Sequence, residues 1–363
     1  MVVIHYEGKD TIVEESHSVL EVLEGAGFRI PYSCRKGICQ SCMLQTDDPV
    51  PAQSQQGLRA SQIAQGYFLA CCCYPQQDIS VRPKNISDQV QGMVVDKRVL
   101  IKGDDKKRLA SVMALFIEVE CTWFAGQFVD VWLDAVTVRP YSIASRCDDK
   151  KIIELHIKRH DQGLVSTWLC DTVAVGDQIN LSVPRGDCFY TDSYHQNPLL
   201  MVATGTGLAP LYGILQEALY RGHTQNIYLF HAAGDSEGLY YQAELQQLIL
   251  RFSNLHVSTV VRRKPLLVNG ESTPIDHFEG SSVELASNTS DVIQGSVEGD
   301  VVDIVKQRHP QMRGYKIFLC GAPTMVKTLR RACFFQGASS SDILVDAFEV
   351  AAIPACNASD TSI

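Results

Sequence analysis

No stretch of this chain is long and apolar enough to span a bilayer, which takes about 20 residues. Nor is there a basic excess: Lys and Arg total 32 against 41 Asp and Glu, a formal net charge of −9. A surface that binds nucleic-acid phosphates needs the opposite balance, so nucleic acid is excluded as the main partner. The opening residues MVVIHYEG lack the basic start and apolar core of a secretory leader and read as a strand. No internal repeat and no nucleophilic triad stands out, and lone histidines such as His156 and His231 read as structural. A cytoplasmic protein is expected, and a monomer. Thiols stay reduced in that compartment. The 13 cysteines are therefore poor candidates for disulfides, and those that cluster point to metal ligation.

The cluster is SCRKGICQSC, which sets Cys34, Cys39 and Cys42 at C-x4-C-x2-C spacing, with a fourth thiol from FLACCCYP. That spacing suits a 2Fe–2S cluster: three thiolates come from one tight loop whose amides point at the sulfurs. Gly37 and Ser41 let the backbone approach. Structural zinc sites usually show two C-x2-C pairs, whereas the first gap here is four residues. By spacing alone any of Cys71, Cys72 and Cys73 could be the fourth ligand. Residues 1–85 resemble plant-type ferredoxin domains, which are β-grasp folds. The resemblance of LACCCYP to the ferredoxin ending implies Cys71 as the ligand, leaving Cys72 and Cys73 as neighbours, one of them buried. Cys121, Cys147, Cys170, Cys188 and Cys333 show no ligand spacing and read as core or surface thiols; Cys356 lies in the tail.

With 363 residues, two or three domains are expected. A polar linker after Pro83 leads into a β-rich region with alternating runs such as ASVMALFIEVE and KIIELHIKR. Within it VRPYSIAS brings an arginine, an aromatic and a hydroxyl together, which can pair with a phosphate, cover an isoalloxazine face and reach ring atoms near N5. DQGLVSTWL then places a glycine before a helix start with two hydroxyls, an anion site suited to a flavin phosphate. VPRGDCFY reads as the turn that closes the barrel. The stretch resembles the flavin domain of the ferredoxin–NADP reductase superfamily. That likeness implies Arg139, Tyr141, Ser142, Gly163, Val165, Ser166 and Thr167 as flavin contacts. FAD rather than FMN follows from the family association; the residues leave the two open.

NPLLMVATGTGLAPLYGILQEAL is an apolar strand, a glycine-rich turn and a helix, and further βα units follow to about residue 350. Thr204, Gly205, Thr206 and Gly207 form the turn that can approach a pyrophosphate. FLCGAPTMV resembles the superfamily's Cys-Gly-x-Pro signature, which implies Cys320 and Gly321 at the nicotinamide. Phe348, in DAFEV, either covers the flavin or merely packs. Gly234 stands where NADPH users often carry arginine, and Asp235 and Glu237 repel a 2′-phosphate, so NADH is favoured, with NADPH left open by Arg262, Arg263 and Lys264. Residues 265–294 read as an insertion and 351–363 as a disordered tail.

The expected fold is thus multidomain α+β and α/β. A β-grasp ferredoxin domain spans 1–88, an antiparallel β-barrel flavin domain 92–192, and a doubly wound parallel-sheet nucleotide domain 195–350. The whole resembles the one-component reductases of bacterial aromatic-ring dioxygenases and multicomponent monooxygenases. That implies an enzyme that takes hydride from NADH onto FAD and passes single electrons through the 2Fe–2S cluster to an oxygenase or other acceptor protein, with Ser142 and Cys320 nearest the chemistry. The same modules serve a deoxysugar dehydratase reductase and general flavin, ferric or quinone reductases. A non-enzymatic redox-responsive protein is the reading from another class, and the joint presence of RPYS, GTG and CGAP speaks against it.

Overall fold

Alternating apolar residues make the antiparallel strands of this protein, near-continuous apolar runs make the buried parallel ones, and side-chain caps start several helices. The computed structural model describes residues 2–13, 17–30, 35, 37, 42–58, 60–83, 89–104, 110–134, 137–262, 267–268, 271–272 and 296–348. The chain divides into two compact units, Met1–Asn197 with Tyr212–Gln225, and Pro198–Leu211 with Asn226–Ile363.

The first unit opens with strands β1 (Val2–Tyr6) and β2 (Lys9–Val13), an antiparallel hairpin. Helix α1 (Val19–Gly25) starts at a capping box: the Glu21 amide donates to Ser18 Oγ at 3.3 Å, and the Ser18 amide donates to the Glu21 carboxylate at 2.9 Å. It buries Val19, Leu20, Val22 and Leu23. Next come β3 (Met43–Gln45), α2 (Ala60–Ala64), β4 (Tyr67–Leu69) and β5 (Ile79–Val81). β5 runs parallel to β1, β3 pairs antiparallel with β4, and an isolated bridge from Gln45 to Arg82 joins the two pieces. One helix against a mixed sheet is the expected β-grasp.

The barrel follows: β6 (Gln89–Ile101), β7 (Val112–Val119), β8 (Phe128–Trp132), β9 (Val138–Ser142), β10 (Ile152–Lys158), α3 (Leu164–Thr167) and β11 (Gln178–Ser182). Its antiparallel strands lie in the order β10-β7-β6-β11-β8-β9. The ends meet through an Ile143–Leu155 bridge, with the Ala144 amide donating to the Glu154 carbonyl at 2.8 Å. Closure is therefore made by β9 and β10, not by the 183–190 turn read from sequence. Arg185 in that turn pairs instead with Phe128 at the head of β8, and its guanidinium meets the Asp130 carboxylate. Ile117, Val129, Ile143, Leu155 and Leu169 fill the core.

The second unit holds β12 (Leu199–Thr204), the start of α4 (Leu208–Tyr220), β13 (Ile227–Ala233), α5 (Gln242–Arg251), β14 (Leu255–Val261), the short β15 (Leu267–Val268), β16 (Glu271–Ser272) and β17 (Val297–Glu298), then α6 (Val301–Arg308), β18 (Lys316–Gly321), α7 (Pro323–Phe335) and β19 (Ile343–Ala347). Pro323 sits in the first turn of α7, where its missing N–H costs nothing. The parallel sheet has the order β17-β14-β13-β12-β18-β19, with β15 and β16 a separate hairpin. The chain steps outward from β12 through β13 and β14 to β17 and returns to β18 on the other side of β12, a doubly wound sheet with its switch point between β12 and β18. The later part of α4 belongs to the first unit, where Gly213 lies against Ala144 with no room for a larger side chain. The nucleotide module's first helix is thus shared by the two units, which its sequence pattern does not disclose. Most of the 265–294 insertion and all of the 351–363 tail lie outside the described residues.

Candidate redox sites

Strand pairing builds the thiol site. Met43 faces Leu69, and one step further the Ala70 amide donates to the Cys42 carbonyl at 3.1 Å. Cys42 is thereby set beside Cys71, in the single 3-10 turn Ala70–Cys72. The Cys71 backbone N–H and thiol both face the Cys42 sulfur, and burial pushes the Cys42 thiol up to about 12. A metal ion binds such a sulfur by displacing its proton. Gly37 has φ +74°, and a Cβ there would come within 2.9 Å of Cys72 Sγ, so only glycine leaves room for sulfur at this loop. The Arg35 guanidinium grips the Glu24 carboxylate of α1 at 2.8 and 3.1 Å, anchoring the loop. Cys73 is fully buried in the core beside Ser54, and desolvation drives its thiol up to about 12. A buried sulfur pair, an amide aimed at one sulfur and a glycine-lined loop fit an iron–sulfur cluster. Cys34, Cys39 and Ser41 lie outside the described residues.

In the barrel, Arg139 and Tyr141 alternate along β9 opposite Val131 and Val129, and Ser142 ends it. Arg139 is exposed; Tyr141 packs half-buried on the barrel core, where desolvation raises its phenol well above its ordinary range. Ser142 is buried. The loop before α3 closes on itself. Ser166 Oγ donates to the Gly163 carbonyl at 3.1 Å and accepts from the His160 amide at 3.2 Å, while Thr167 Oγ1 donates to the His160 carbonyl at 3.1 Å. The two hydroxyls read from sequence as anion donors thus shape their own loop. A Cβ on Gly163 would lie 2.5 Å from Ser166 Oγ, so the closure depends on that glycine. Val165 is buried beneath it. An exposed cation and a phenol side by side on the strand, next to a tightly closed loop, fit a flavin.

Sequence reading missed a polar pair on β10. His156 Nε2 donates to the Glu154 carboxylate at 2.8 Å, both residues buried. One residue from the Ile143–Leu155 bridge, the antiparallel register sets His156 across from Ser142. The signal was present: two polar residues alternate inside the apolar run IIELHIK.

The candidate nucleotide residues gather where β12 and β18 end, at the switch point, where doubly wound sheets place their ligand crevice. Gly205 takes φ +54° and is followed by Thr206 and Gly207, whose missing side chain admits the Cys320 carbonyl: a Cβ on Gly207 would lie 2.3 Å from that oxygen. Gly321, at φ +117°, likewise clears Thr204. Thr204 Oγ1 accepts from the Ala322 amide at 2.8 Å, which ties the two turns together. The Phe348 amide donates to the Gly321 carbonyl at 2.8 Å, bringing the aromatic to the same edge. Thr204, Gly205, Thr206, Gly207, Cys320, Gly321 and Phe348 are therefore neighbours at this edge of the sheet. His231, read from sequence only as structural, is fully buried in β13 and its Nε2 donates to the Gly205 carbonyl at 3.2 Å, bracing the turn. Backbone approaching through two glycines at a helix start fits a pyrophosphate.

Three family models match in the same order. A 2Fe-2S iron-sulfur cluster binding domain matches residues 4–76, an oxidoreductase FAD-binding domain 117–190 and an oxidoreductase NAD-binding domain 201–293. The chain is a three-domain oxidoreductase. Its cofactors are a 2Fe–2S cluster, FAD and NAD(P)H. The oxidoreductase is 28% identical over 335 residues to the phenol hydroxylase P5 protein of Acinetobacter pittii, covering 89% of this chain and 88% of that one. It is 29% identical over 342 residues to the ferredoxin–NAD(P)+ reductase component of the naphthalene 1,2-dioxygenase system of Pseudomonas putida, covering 91% and 93%. The solved ferredoxin reductase in carbazole 1,9a-dioxygenase shares its fold, with TM-score 0.56 at 20% identity over 96% of this chain and 98% of that one. Among the described residues no helix is long and apolar enough to cross a membrane.

Proposed function

We infer that this oxidoreductase is the NADH-oxidising electron supply of an oxygenase, delivering single electrons to that partner. Its relatives include reductase components of a dioxygenase system and of demethylase and monooxygenase systems, which supports an oxygenase as acceptor. The observation that carries the reading is the pair of turns Thr204–Gly207 and Cys320–Gly321 meeting at the switch point of a sheet, on the same chain as the buried thiols of Cys42 and Cys71. Bound together, the three cofactors turn a two-electron hydride delivery into one-electron steps.

The chain's own residues have distinct tasks in this reading. Cys34, Cys39, Cys42 and Cys71 hold the cluster. Arg139 would pair with a flavin phosphate, and Tyr141 and Ser142 would contact the flavin ring. Gly163, Val165, Ser166 and Thr167 shape the loop that receives the phosphate. Thr204, Gly205, Thr206 and Gly207 take the nicotinamide nucleotide's pyrophosphate, and Cys320, Gly321 and Phe348 line the nicotinamide. Asp235 caps the short turn after β13 and Glu237 lies within it; their charges oppose a 2′-phosphate. Modules spanning 1–88, 92–192 and 195–350, a monomeric state and a cytoplasmic location complete the proposal.

The test is an anaerobic titration of freshly purified protein followed by visible absorbance. NADH bleaches both the flavin and the iron–sulfur bands, and its kcat/KM exceeds that of NADPH at least about tenfold, the equivalent of 1.4 kcal/mol. Zinc in place of iron and sulfide, or bands that NADH leaves unchanged, would defeat the reading. Ser166→Ala removes two hydrogen bonds worth about 1 kcal/mol each. Retention of FAD on dilution, followed by flavin fluorescence, is expected to weaken by roughly tenfold.

A further inference from the structure

Three consecutive cysteines, Cys71–Cys73, are more than a fourth ligand requires. The 3-10 turn Ala70–Cys72 sends their side chains to different places. Cys71 faces Cys42, and Cys73 is sealed in the core beside Ser54. Cys72 is only half-buried; its Sγ lies 3.7 Å from Cys71 Sγ and fills the space that Gly37 leaves by having no side chain. Its sulfur thus touches both the fourth thiol and the loop that carries the other three.

We propose that Cys72 tunes the reduction potential of the cluster by donating its S–H to the Cys71 sulfur. The inference rests on Cys71 being the fourth ligand. In the bare pair either sulfur can be the donor. Once Cys71 ligates it has given up its proton and can only accept, so the one proton left between the two sulfurs belongs to Cys72. The contact then has a direction. A donor on a ligand sulfur favours the more negative, reduced cluster and raises its potential. Gly37 is part of the device: its left-handed φ of +74° excludes a larger residue, and a Cβ there would dislodge Cys72 from this position. The potential of the last station on the chain decides how readily it accepts an electron from the flavin and how strongly it drives the partner.

Cys72→Ala and Cys72→Ser in the full-length protein test this. Iron and acid-labile sulfide content, flavin absorbance and an EPR-monitored redox titration are measured on each. Cys72→Ala is expected to keep iron, sulfide and flavin and to lower the cluster's potential by a shift equal to about a tenfold change in its one-electron equilibrium, about 59 mV. Cys72→Ser, which restores a donor, returns the potential toward the native value. An alanine variant with the native potential overturns the proposal. Loss of iron and sulfide from Cys72→Ala, with both retained in Cys71→Ala, overturns it differently: Cys72 is then the ligand, and the assignment of Cys71 falls with it.

Discussion

Cys42→Ser is expected to strip the iron–sulfur cluster from this protein while leaving NADH-driven reduction of its flavin intact. Cys42 is 2% exposed, and its carbonyl is tied to the Ala70 amide, so its sulfur is held beside Cys71 by the β3–β4 pairing itself. A serine hydroxyl in the same buried place is a poor thiolate substitute. The barrel has its own core, built on Ile117, Val129 and Leu155, and does not rely on the cluster for folding. Reduction of a one-electron protein acceptor should fall by at least about 100-fold, the upper range for loss of even an outer-shell metal partner. Ferricyanide reduction, which can draw directly on flavin, should persist near the native rate. Native iron and sulfide content in the variant would remove Cys42 from the ligand set.

Gly207→Ala is expected to cripple use of the nicotinamide nucleotide without disturbing the other two cofactors. The added Cβ would stand 2.3 Å from the Cys320 carbonyl oxygen and 2.8 Å from Gly321 Cα. Both obstacles are backbone, so no side-chain rotation relieves them, and overpacking of this kind costs about 1–3 kcal/mol. The strain falls on the contact between the two turns at the switch point. The KM for NADH should rise about tenfold or more, with flavin and iron content unchanged, as steady-state ferricyanide assays and absorbance will show. Gly205→Ala makes an instructive control. A Cβ there meets nothing within 4 Å, so only the left-handed φ of +54° is penalised, at about 1–2 kcal/mol. Equal NADH kinetics in Gly207→Ala and the native protein would show that this turn does not hold the nucleotide.

The order of the modules could be read from short stretches because each chemistry demands a local pattern. Cys39 and Cys42 must share one loop to reach one cluster, and Gly205 and Gly207 must share one turn to admit a phosphate. Such spacings survive in the bare sequence. What could not be read there depended on residues far apart in the chain. Cys320 and Gly207 are 113 positions apart, and only the parallel alignment of β12 with β18 puts one carbonyl into the other's missing side chain. The same holds for His231, whose partner is the Gly205 carbonyl, and for the closure of the barrel at Ile143 and Leu155.

Ser166 and Thr167 show a subtler limit. Their presence near a helix start was legible, but a hydroxyl can serve a ligand or its own loop, and the choice is set by the His160 and Gly163 groups that face it. The three adjacent cysteines were equally ambiguous by spacing. Backbone twist in a single 3-10 turn sends Cys73 into the core and sets Cys71 and Cys72 side by side at the loop. Composition and motif spacing therefore pointed to an iron–sulfur cluster, a flavin and a nicotinamide nucleotide, since those patterns rest on contacts within a few residues, while the choice of FAD came from family likeness. Which atoms face one another was decided by the tertiary structure, because strand register and helix packing bring together groups that no local rule connects.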